Sequence, residues 1–116
     1  MNVDKYKNLE IKDINLSGDS ITILFTNDTK IQITDNGQSC CESRYMTSDD
    51  DIKHIIGHRL MDIEVVDGPD ESDEEGYSYH EIQFLNIKTN FSSVQFASHN
   101  EHNGYYGGFS IEIEEV

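Results

Sequence analysis

Hydrophobic residues in this chain mostly recur at every second position, the period of a strand with one buried face. Ile21, Ile23 and Phe25 alternate, Leu24 points the other way, and Ile31 and Ile33 resume after Asn27-Asp28. Two alternating runs split by a polar turn predict a β-hairpin. Upstream, Leu9, Ile11, Ile14 and Leu16 predict a first strand with a phase slip near Asp13, closed by Ser17-Gly18-Asp19. Downstream, Met61, Ile63 and Val65 alternate. Ile82 and Phe84 lie in one phase, Leu85 and Ile87 in the other, which predicts a bulge or a strand buried on both faces. Val94 and Phe96 predict the next strand. Phe109, Ile111 and Ile113 predict the last, with Ser110, Glu112 and Glu114 facing water.

One segment breaks the period. Ser48-Asp49-Asp50-Asp51 precedes Ile52, Ile55 and Ile56, an i, i+3, i+4 stripe, and Gly57 can end a helix in the left-handed conformation. Ser48 is the expected N-cap, with Asp51 three residues on. The aspartates then lie in the first turn, where the helix dipole favours negative charge. The expected fold is therefore α+β: a mostly antiparallel β-sheet of about six to eight strands with one short helix near residues 48–57.

Length bounds this further. A chain of 116 residues is enough for one domain, and the expectation is a single domain over residues 1–116. It can hold one core without disulfide or metal staples. Residues 67–76, DGPDESDEEG, contain the sole proline and six acids but no apolar side chain, and are expected to form a mobile acidic loop. No stretch approaches the ~18 apolar residues a membrane helix needs. The segment MNVDKYKNLEIKD has no apolar run behind its lysines, so no secretory signal is read there. The expectation is a soluble protein of the cytoplasm, without a membrane partner.

Charge changes the picture most. Acids outnumber bases 23 to 8, a formal net charge of −15. Residues 67–116 carry eleven acids and one base, Lys88. Such a surface repels nucleic acid and anionic membranes and attracts basic partners.

Candidate chemistry is thin. Cys40 and Cys41 are adjacent, and neighbours sit too close for a relaxed disulfide. Free thiols are expected, one packed inward and one at a turn. A zinc site would want a second ligand pair, which only His54, His58, His80, His99 and His102 could supply, and no CxxC or HExxH spacing links them. A reactive thiolate needs a nearby cation, whereas Arg44 is alone among aspartates. The aspartate run lacks the spacing of a calcium loop. No phosphate loop and no nucleophile elbow occurs. No catalytic residue, cofactor or metal ligand is expected, and the chain is not read as an enzyme. Asn103-Gly104 signals a turn, and Tyr105-Tyr106 on a strand would point to opposite faces, leaving a ring for an interface.

Cys40-Cys41-Glu42-Ser43, a following Tyr45-Met46 strand, an acidic capped segment and Ile-Gly-His-Arg-Leu at 56–60 resemble an uncharacterised family of small bacteriophage and prophage proteins, a domain of unknown function. The hairpin GDSITILFTND, the acidic stretch 67–76 and the Asn-Gly-Tyr-Tyr turn at 103–106 extend the likeness over roughly residues 9–116. Many members have a tryptophan-rich region near their end; this chain has no Trp and offers Phe84, Phe91 and Phe96 there. The resemblance implies a phage or mobile-element context. Small acidic phage proteins often block a host protein, and some imitate the charge of DNA. The expected function is thus an acidic inhibitor of a host nucleic-acid enzyme, an anti-CRISPR (Cas nuclease inhibitor) or another DNA mimic. Its partner would be a host protein with a basic groove, with no direct nucleic-acid binding. The expected partner-binding residues are Asp49, Asp50, Asp51, Asp67, Asp70, Glu71, Asp73, Glu74, Glu75, Tyr105 and Tyr106. The alternatives are an accessory phage protein with incidental acidity, able to form a homodimer through a sheet edge, and a Cys/His metal-binding protein.

Overall fold

Alternation over most of the chain becomes eight strands in a computed structural model that describes residues 3–36, 43–70, 79–102 and 108–116. They are β1 Ile11–Ser17, β2 Ser20–Phe25, β3 Lys30–Asp35, β4 Ser43–Thr47, β5 Leu60–Asp70, β6 Tyr79–Thr89, β7 Ser93–His102 and β8 Ile111–Glu115. Two four-stranded antiparallel sheets result, ordered β1-β2-β3-β8 and β4-β7-β6-β5. Their apolar faces share one core. Ile14, Ile23, Phe25, Ile31 and Ile33 come from the first sheet, and Met46, Ile63, Leu85, Ile87, Val94 and Phe96 from the second. Ile111 and Ile113 pack at its margin.

The phase slip is real. The β1–β2 register shifts between Ile11 and Asp13, and the Asp13 carboxylate accepts from the Ile14 N–H. The β2–β3 hairpin turns at Asn27-Asp28, with Asp28 at φ 70, a left-handed position that Asp tolerates better than most residues. β6 carries the two phases without a bulge against β7: Leu85 and Ile87 are buried, while Ile82 and Phe84 are half-buried on the opposite face.

The α+β expectation is overturned, because among the described residues only short 3-10 turns interrupt the strands. The expected helix at 48–57 is a single 3-10 turn, Ile52–Ile55, capped by Asp51 rather than Ser48. Asp51 Oδ1 accepts from the Lys53 N–H, while the Ser48 hydroxyl donates to the Gln95 carbonyl. Gly57 does adopt φ 91, but its N–H goes to Ile11 O, tying the segment onto β1 instead of finishing a helix. Ile56 is consequently exposed, and the three-isoleucine stripe does not form.

The acidic segment also begins later than expected. Asp67–Asp70 belong to β5 and pair with β6, and residues 71–76 lie outside the described residues. Pro69 fits because β5 is an edge strand. Gly68 is required there: a Cβ would come within 2.9 Å of both Ile82 O and the Phe84 ring.

Candidate interaction surface and polar end

The inward face of the second sheet is not apolar along its whole length. From Val94 and Phe96, β7 continues inward through Ser98, Asn100 and His102, all buried. Opposite them on β6 stand Gln83, Glu81 and Tyr79, and Arg44 of β4 lies beside Asn100. One end of the sandwich therefore has a polar interior, and its groups are joined. The Arg44 guanidinium donates through Nη1 to both oxygens of Asp35, at 2.7 and 2.9 Å. The side chains are 4% and 1% exposed. Asp35 Oδ1 also accepts from the Ser110 N–H. Glu81 Oε1 lies 2.9 Å from His102 Nε2, and Glu81 Oε2 accepts from the Gly108 N–H. Asn100 Nδ2 donates to Gly108 O. Tyr79 stacks on His102. A cavity of about 310 Å³ opens beside Glu81, between Asp67–Pro69, Gln83 and Gly108–Phe109.

This cluster joins the roots of three chain segments. Asn36, just past Asp35, and Ser43 flank 37–42, Asp70 and Tyr79 flank 71–78, and His102 and Gly108 flank 103–107; their strand partners place all these roots at the same end. The structure thus brings Asp67 and Asp70 close to the roots of the acidic and the tyrosine segments. Glu71, Asp73, Glu74, Glu75, Tyr105 and Tyr106 themselves lie outside the described residues, as do Cys40 and Cys41.

Asp49, Asp50 and Asp51 sit elsewhere, and two of them have local duties. Asp50 Oδ2 accepts from the Gln95 N–H, and Asp51 caps the 3-10 turn. Gln95 lies seven residues before His102 on β7, some 23 Å at strand rise, so these aspartates are not part of the polar end.

The basic residues follow the same long axis, while acids such as Glu10, Asp28, Glu64 and Glu115 stand among them. Lys5, Lys7, Lys12, Lys30, Lys53, Arg59 and Lys88 lie towards the end where Glu10 bridges Arg59 and β2 turns into β3. Several are engaged there. Lys53 donates to Asp13 and Asn15, Lys5 reaches Glu115, and Lys88 reaches Glu64 at 2.8 Å. The hydrogen bond from Lys88 holds the Glu64 carboxyl below its usual range, and that from Lys53 does the same for Asp13. At the polar end stand Asp35, Asp67, Asp70, Glu81 and Glu101, with Arg44 as the only Lys or Arg among the described residues, already bound to Asp35.

The outward face of the second sheet holds a feature that no sequence period signals. His80 Nε2 and His99 Nδ1 face each other at 2.9 Å, and His99 Nε2 lies 2.8 Å from Thr47 Oγ1. Tyr45 stacks on His99 with a centroid separation of 4.6 Å. These residues are far apart in sequence and meet only through the β4–β7–β6 register.

Among the described residues, no helix is long and apolar enough to cross a membrane. No curated protein and no solved structure matches the chain. Residues 5–111 match a protein family described as a domain of unknown function, DUF7448, and the chain belongs to that family.

Proposed function

We propose that this is a non-enzymatic binding protein whose anionic end occupies a basic groove on a nucleic-acid enzyme. The supporting observation is the placement of the cations: the end that roots the acidic segment has Asp67, Asp70, Glu81 and Glu101 and, among the described residues, one Lys or Arg, Arg44, which is paired with Asp35 in the interior. The sequence adds Glu71, Asp73, Glu74 and Glu75 between strand ends rooted there. Carboxylates concentrated at one tip raise the encounter rate with a cationic groove and penalise anionic competitors. The likeness to small phage proteins favours a phage or prophage source and a target in the bacterial cytoplasm. Within that setting a DNA mimic, such as an inhibitor of a Cas nuclease, is the reading we favour.

The test is a salt-stepped pull-down from bacterial lysate with the tagged protein, identified by mass spectrometry. It is repeated with Asp67, Asp70, Glu71, Asp73, Glu74 and Glu75 changed to Asn or Gln. A nucleic-acid enzyme that is retained at low salt, released by competing duplex DNA and lost with the neutralised variant supports the proposal. If the variant captures the same proteins as the wild type, or no nucleic-acid enzyme is retained, the proposal fails.

A further inference from the structure

We propose that His80 and His99 form the core of a divalent transition-metal site on the outer face of the second sheet, completed by Glu101. The proposal is independent of the binding function above. Its basis is the facing pair of imidazole nitrogens, His80 Nε2 and His99 Nδ1, at 2.9 Å. Two neutral imidazoles at that distance share one hydrogen: one ring donates and the other presents a lone pair. The Thr47 hydroxyl lies 2.8 Å from His99 Nε2 and is able to accept from it; in the tautomer where that nitrogen donates, His99 Nδ1 carries the lone pair. Metal-bound histidines are commonly held in this way, with the second ring N–H given to an oxygen that fixes tautomer and ring angle. The Tyr45 ring, 9° from parallel with His99, restrains the same imidazole from its face.

An ion can take the place of the shared hydrogen, which moves to Nδ1 of His80; no net proton is released. Zinc–imidazole bonds are about 2.0–2.1 Å, which puts two nitrogens on one tetrahedral ion roughly 3.3 Å apart. The pair needs to open by only a few tenths of an ångström. The third donor follows from register. Glu101 pairs directly with His80, sits two residues from His99 on β7, and so shares their face with an exposed side chain. Among the described residues no three such groups already converge, so the Glu101 carboxylate must change rotamer to reach the ion. Two imidazoles and one carboxylate leave a coordination position for water, and this donor set suits zinc, cobalt, nickel or copper rather than calcium or magnesium.

The experiment is titration of the reduced, full-length protein with Zn2+ by calorimetry and with Co2+ by visible absorption, at neutral pH in a non-chelating buffer. The expected result is one ion per chain and a cobalt spectrum of nitrogen and oxygen donors without a thiolate charge-transfer band. His80→Ala and His99→Ala should each abolish stoichiometric binding, and Thr47→Val should weaken it by about tenfold through its effect on the ring. If a histidine variant does not fold, imidazole NMR of the wild type answers the same question: zinc should shift the His80 and His99 resonances and leave His54 and His58 in place. No saturable binding, a thiolate band, or shifts confined to His54 and His58 would overturn the site.

Discussion

Replacing Arg44 by Met removes the cation that partners a carboxylate only 1% exposed. Met has a similar length and no charge, so the change isolates electrostatics from bulk. Arg44 Nη1 meets both oxygens of Asp35, and the Ser110 N–H, a neutral backbone donor, does not replace that positive charge. Leaving one member of a buried pair uncompensated costs about 3–5 kcal/mol. At roughly 3–5 °C per kcal/mol for a chain of this size, Tm should fall by about 10–20 °C. The double variant Asp35→Leu/Arg44→Met removes both charges. It forfeits the Ser110 hydrogen bond, about 1 kcal/mol, but strands no ion, so it should be more stable than Arg44→Met alone. Urea unfolding followed by circular dichroism gives both values and their coupling. A loss below about 1 kcal/mol for Arg44→Met would refute the reasoning, as would a double variant whose cost is the sum of the two single ones.

Other parts of the fold give sharper local tests. Gly68→Ala should lower the urea midpoint by the equivalent of about 1–3 kcal/mol, because the new methyl meets the Ile82 carbonyl and the Phe84 ring at 2.9 Å. Asp28→Val should destabilise by about 1–2 kcal/mol at its left-handed φ, measured the same way, while Asp28→Gly should cost little. The Asp13 carboxyl, followed by NMR, should titrate below the ordinary aspartate range and return towards it in Lys53→Met. Because its folded-state value is depressed, the contribution of Asp13 is present above the unfolded value and is lost as pH falls through the folded one.

Strand periodicity was readable where a single face is buried. Ile21, Ile23 and Phe25 point inward with nothing else competing for that face, and Asn27-Asp28 supplies a turn that needs no distant partner. The slip at Asp13 was also local, since its carboxylate bonds the next residue's N–H while Lys53 holds it outward. The region 48–57 misled because three isoleucines within five residues fit a helical stripe, yet two hydrogen bonds made outside the segment decide its path: Ser48 to Gln95 O and Gly57 N to Ile11 O. Gly68 and Pro69 looked like loop residues for similar reasons, although one makes room for Phe84 and the other sits on an edge strand. The candidate sites were hidden more completely. Glu81 with His102 and His80 with His99 are brought together by the β6–β7 register, and Arg44 meets Asp35 across the two sheets; no spacing along the chain encodes either.

The apolar core and the polar clamp occupy different lengths of the same sandwich, and this separation bears on how the chain can change. Length and composition between Asp35 and Ser43, between Asp70 and Tyr79, and between His102 and Gly108 can drift while Phe25, Leu85 and Phe96 remain untouched. The same division makes the body a natural host for grafted peptides: three insertion points at one end, anchored by hydrogen bonds through Asp35, Glu81 and Asn100 that do not depend on the inserted sequence.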